Sequence, residues 1–206
     1  MLYLYSPDEF DHQPACYITD YINSIQQFIL FIHYKSLSES VNQSLVNNLQ
    51  LYSAIASFMG AVTHHFFNNV KHSKFFTIFW QISVYFQILT SSSFLLILAI
   101  QNNFSTSFYV PLTVLLFVLC MTNQKFSFEI QMLISASFLL IFTFFTFLQK
   151  PLFHELILKG CAIIIASFLI IVFKIQLPYF NHNSIFHSLL FIAYFYLAKG
   201  VFLSVK

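Results

Sequence analysis

There is no arginine anywhere in the 206 residues, and only 8% of them are charged. Arginine is the side chain best shaped for bidentate phosphate recognition. Its absence, with a formal net charge of only +2, argues against nucleic acid and against phosphate clamps. The shortage of charge excludes an ordinary soluble domain, which carries about 25% charged residues. Only three glycines are present, so there is no Gly-rich loop, and no pair of Gly- or Pro-broken segments in matching halves marks a transporter. Cys16, Cys120 and Cys161 form no Cys-x-x-Cys and no even pairing, and they read as small buried hydrophobes. The stretch from Met1 to Asp11 is acidic and lacks a basic n-region, so a cleaved signal peptide is not expected and the first span serves as its own insertion signal.

What is present is apolar: 58% hydrophobic residues, 20% aromatic, and a mean hydropathy of +0.76. This composition predicts an all-α fold, a single integral membrane domain built as a polytopic bundle of about seven spans. They fall near residues 15–34, 49–70, 75–100, 106–122, 127–148, 153–175 and 183–203. Polar or Pro-containing breaks separate them, at Lys35 to Asn48, Lys71 to Lys74, Gln101 to Asn103, Asn123 to Lys125, Gln149 to Pro151 and Gln176 to Asn181. Short connections make consecutive helices antiparallel neighbours. The fourth span is short and has Pro111 near its start, as a tilted or broken helix would. Tyr17, Tyr34, Tyr52, Trp80, Tyr109 and Tyr179 lie near span ends, where an interfacial aromatic belt belongs. Lysines divide evenly between the two sets of connections, and the acidic N-terminal stretch favours placing that end outside.

Ionisable groups inside a membrane are costly, so their positions carry information. Span parity puts Asp20, His64, His65, His182 and His187 at one membrane face, and His154 with Glu155 at the other. In the second span Ser53, Ser57, Gly60, His64 and Asn68 recur at spacings of three and four, a small and polar stripe that points His64 into the bundle. His65 is rotated about 100° away, beside Phe58 and Val62. In the seventh span Asn183 and His187 share a face, whereas His182 and His187 are separated by roughly 140° on a regular helix. Asp20 suits an imidazole-orienting or metal-binding carboxylate, and equally a charge favoured at a helix N-terminus. Glu129, opening the fifth span, reads in the second way. Gln81, Ser83, Gln87 and Thr90 to Ser93 make the third span polar inside, as interhelical hydrogen bonding requires. His12, His33 and His72 sit in tails or span ends and read as solvated.

Gly60-Ala61-Val62-Thr63-His64, with His182 and His187, resembles the superfamily of seven-helix membrane hydrolases and receptors that includes alkaline ceramidases, progestin and adiponectin receptors and GPI-lipid remodelling proteins. That resemblance implies a zinc ion held by His64, His182 and His187. Where the ceramidase-like pattern has Ser one turn before the second-helix His, this chain has Gly60, and no acid follows His64 until Glu129. The text Asn181 to His187, with Gly60 to His64 and Thr19-Asp20, is also similar to an uncharacterised family of small multi-spanning proteins, which brings no activity.

Two readings follow. One is a zinc-dependent membrane hydrolase, with His64, His182 and His187 on the metal, Asp20 as orienter or general base, and a lipid amide or ester arriving from the bilayer. The other is a non-catalytic structural, receptor-like or accessory bundle in contact with membrane lipids, whose histidines make interhelical hydrogen bonds. Haem would need two ligands on opposite faces of one macrocycle.

Overall fold

A computed structural model describes residues 14–66, 74–122, 127–178 and 180–205, with the side chains of 127–129 outside that description. The acidic N-terminal stretch, His12, Asn68, Lys71, His72, Lys125, the Glu129 side chain and Tyr179 all lie outside the described residues. Among the described residues the chain forms seven helices, α1 (Pro14–Ser36), α2 (Val41–Phe66), α3 (Lys74–Gln101), α4 (Tyr109–Thr122), α5 (Ser127–Gln149), α6 (His154–Val172) and α7 (His182–Ser204). No strand is present among them, only an isolated bridge between Leu177 and Phe180.

The helices fall where the apolar stretches predict them, except at the start of α2. That helix begins at Val41, inside the polar segment expected to be a connection. Ser40 starts it: its hydroxyl accepts from the Gln43 N–H at 3.1 Å, while the Gln43 carboxamide oxygen accepts from the Glu39 N–H at 2.8 Å, a reciprocal arrangement close to a capping box. Gln43, Asn47 and Gln50 are then buried, Asn47 bonded to the Phe31 carbonyl of α1, where an apolar window does not look for them. The early start also moves Tyr52 to the middle of α2, away from any span end. Tyr109 departs from the aromatic belt as well, because its hydroxyl donates to the Leu89 carbonyl at 3.1 Å and contacts Ser93 at 3.2 Å.

α1 packs on α2 and α7, α2 also on α3, α3 on α5, α5 on α6 and α6 on α7, while α4 lies outside this ring against α3 and α5. Leu49, Phe94, Ile97, Phe142, Ile157 and Leu197 are among the residues of one apolar cluster at its centre. α3 satisfies part of its polar set by itself, Thr90, Ser91 and Ser93 each donating to the carbonyl four residues back, while Ser83, to Ala56, Ser91, with Ser135, Ser93, with Tyr109, and Gln101, to Ser204, reach other helices. With glycine scarce, Asn103, Lys150 and Lys174 take the left-handed conformation just past α3, α5 and α6, at φ of 55°, 47° and 49° for the residues in the order named. The Phe104 and Ile175 N–H groups then close on carbonyls five residues back.

Four helices, α3, α5 from Ile130, α6 and α7, are long and apolar enough to cross a membrane, whereas α4 is a shorter apolar helix. α1 is instead inverted. Cys16, Asp20, Asn23, Ser24 and Gln27 point inward and are buried, while Ile18, Ile22, Ile25, Phe28, Ile29 and Ile32 point outward. Ile25 and Ile29 are 62% and 59% exposed, and Gln27 is 0% exposed. In water each such isoleucine would forgo about 1.5–3 kcal/mol of burial.

Candidate metal centre

The centre grows from α1. Cys16 and Asp20 are four residues apart, so one helical face carries both toward α7. On α7, Asn181 is the N-cap, with an extended backbone and its side chain accepting from the Ser184 N–H at 2.9 Å, which fixes the first turn and sets His187 on the α1 side. Asn23 then donates from Nδ2 to the His187 carbonyl at 2.7 Å, and Gln26 donates to the Phe191 carbonyl at 2.7 Å. These two bonds run α1 parallel to α7 and lock the level of His187. Its Nδ1 stands 3.0 Å from Asp20 Oδ1, with both side chains largely enclosed.

Donor atoms of Cys16, Asp20 and His187 all lie within 4.8 Å of one another. His64 and His182, expected from the sequence to share a metal with His187, are outside this group. For His182 the reason is helical geometry. α7 is regular from His182 onward, so the five-residue separation keeps the two rings about 140° apart. His64 is half-buried on the stripe that includes Gly60, and a Cβ added at Gly60 would sit 3.6 Å from Asp20 Oδ2 and 3.8 Å from Ser83 Oγ. The stripe therefore does face α1, with His64 one turn beyond Asp20's level. His65 faces out, stacked on Tyr17 with ring centroids 4.3 Å apart and its Nδ1 3.4 Å from the Tyr21 hydroxyl. His154, at the start of α6, is bound to the Pro151 carbonyl through Nδ1 at 3.2 Å. None of the three cysteines is in a disulfide.

Cys16 is the member that sequence reasoning missed. Its signal was the Cys-x-x-x-Asp spacing, hidden because all three cysteines lie in apolar text.

The room at Gly60 gives a direct check. Ordinary van der Waals distances make Gly60→Ala tolerated, with helix propensity favouring it by up to about 1 kcal/mol. Gly60→Ser should also fold and bring its hydroxyl to Asp20. A thermal unfolding midpoint within a few degrees of the parent in the same detergent is the expected result for both.

The fold and site define an all-α, apolar-surfaced helical bundle with a buried Cys–Asp–His cluster near one end. By sequence, the chain belongs to a family of unknown function (DUF6962), whose model matches residues 15–204. No curated protein and no solved structure matches it.

Proposed function

We propose that this chain is an integral membrane protein that crosses the bilayer several times, and that Cys16, Asp20 and His187 hold one zinc ion near one face. The inverted α1 supports the first part. A helix that buries Asp, Asn, Ser and Gln while presenting isoleucine outward suits lipid around it and polar partners within. Inward polarity also explains how α1 can cross without being as apolar as α3 or α6.

The observation that carries the metal reading is the convergence of a thiol, a carboxylate and an imidazole within 4.8 Å. That donor set fits zinc, which takes sulfur, nitrogen and oxygen ligands at about 2.0–2.3 Å. Zinc binds a thiolate and an unprotonated imidazole nitrogen, so its uptake at these residues would release protons. Asn23, through the His187 carbonyl, and Gly60, by leaving room beside Asp20, keep the donors in place.

Three protein donors leave a fourth position, as catalytic zinc sites do, and zinc would there supply Lewis acidity toward a carbonyl and a lowered pKa for water. On that basis the chain is a candidate hydrolase of a lipid amide or ester, the activity that the seven-helix resemblance implies. A second reading is favoured by the same contacts. The Asp20–His187 pair and the Asn23 bond fasten α1 to α7 by themselves, as a structural or accessory bundle would need.

Elemental analysis of protein purified in mild detergent without chelator separates the two. The metal reading expects about one zinc per chain, as a single site of this kind holds, lost in Cys16→Ser and His187→Ala and retained in His182→Ala. A wild type without stoichiometric metal leaves the structural reading. Zinc that survives Cys16→Ser but not His64→Ala would restore the three-histidine set. Zinc-loaded protein that turns over no lipid amide or ester would leave the metal structural.

A further inference from the structure

The polar face of α1 does not stop at the metal centre. Asn23 and Gln27 continue it inward, and the facing side of α2 is Gln43, Asn47, Gln50 and Ser53, all buried. The register of the two helices is set at both ends, because Gly60 lies against Asp20 while Asn47 Nδ2 donates to the Phe31 carbonyl at 2.8 Å. Gln27 therefore lies within a turn of Gln50 and Ser53. The parallel register with α7 brings Tyr194 to the same depth, where its hydroxyl is paired with Ser53.

Within this seam Asn23 Oδ1, Gln27 Oε1 and Gln50 Oε1 accept no hydrogen bond from any described residue. The three residues are 2%, 0% and 2% exposed, so bulk solvent does not reach them directly. All three orphans are acceptors, and what they need is a donor. Buried polar groups left over by the protein are ordinarily satisfied by internal water, which requires two to four polar partners. Here the partners are the three carboxamide oxygens, with the hydroxyls of Ser53 and Tyr194 at the same level.

We infer that the α1–α2–α7 interface is an internal water-binding seam, leading from Asp20 past Asn23, Gln27 and Gln50 toward the Asn47 and Lys35 end of the bundle. Lys35 is bonded there to Ser44, so a charged group marks the far mouth. The inference rests on the membrane reading, since only in lipid does an interior route to water matter. Polar residues lined up inside a membrane protein commonly mark such routes. The seam gives the Cys16–Asp20–His187 centre access to water that does not pass through lipid.

Hydroxyl radicals generated from water by brief X-ray exposure, on the unsubstituted protein in lipid nanodiscs, test this with three aromatic reporters read by mass spectrometry. Tyr194 borders the seam, Phe142 is fully buried in the apolar cluster, and Phe28 faces outward from α1. Millisecond oxidation of Tyr194, with Phe142 and Phe28 unmodified, is the expected result. The double substitution Gln27→Leu with Gln50→Leu, in protein that still folds, is expected to abolish it. If Tyr194 and Phe28 both stay unmodified, the seam is dry and the inference is overturned while the membrane reading stands. If Phe28 is oxidised, the outer face of α1 meets water and both fall. Unchanged Tyr194 oxidation in the folded double variant overturns the assignment to these carboxamides.

Discussion

Gly160→Val is expected to destabilise the helical bundle strongly, and to act without touching the Cys16–Asp20–His187 cluster. α6 and α7 meet at two glycines. A Cβ on Gly160 would fall 2.6 Å from Leu197 Cγ and 3.0 Å from the Ala193 carbonyl oxygen, and one on Gly200 would fall 2.8 Å from Ile157 Cγ1 and 3.0 Å from the Ile157 nitrogen. Two of those contacts are with backbone, which cannot rotate away as a side chain can. Even a single methyl must push the helices apart, and valine adds two more carbons. Overpacking of a well-packed contact costs about 1–3 kcal/mol, and the upper end is expected here. Unfolding in detergent, followed by circular dichroism, should show a large loss for Gly160→Val beside near-parental behaviour for Gly60→Ala. Equal midpoints for the two would mean that α6 and α7 do not approach as closely as described.

His187→Leu is expected to have the second large effect, and a partner substitution should reverse it. Removing the imidazole leaves the Asp20 carboxylate enclosed between α1, α2 and α7 without the ring that faces it at 3.0 Å. Breaking a buried pair on one side costs about 3–5 kcal/mol, whereas replacing both members by apolar residues is often close to neutral. Asp20→Leu combined with His187→Leu should therefore recover most of the lost stability while binding no zinc. A double variant as unstable as His187→Leu alone would show that the pair does not act as a unit.

The existence and order of the helices were legible in the sequence because long apolar runs between short polar breaks leave few alternatives. The start of α2 was not legible, since Asn42, Gln43, Asn47 and Asn48 read as a connection, although Gln43 and Asn47 are buried and Asn47 is bonded to the Phe31 carbonyl of α1. Span parity, an argument about which end of each helix meets which face, put Asp20 and His187 at one level, and they stand 3.0 Å apart. Which other side chains join that cluster depends on rotation about helix axes. A five-residue separation turns His182 away from His187, while a four-residue separation brings Cys16 beside Asp20. No apolarity pattern carries that information.

The most direct test of the central claim is X-ray absorption at the zinc edge on the purified, zinc-loaded protein. The Cys16–Asp20–His187 centre predicts a shell with one sulfur at about 2.3 Å beside nitrogen and oxygen at about 2.0–2.2 Å. The sulfur contribution should vanish in Cys16→Ser. A shell of nitrogen and oxygen alone in the wild type, with imidazole scattering from several rings, would contradict this centre.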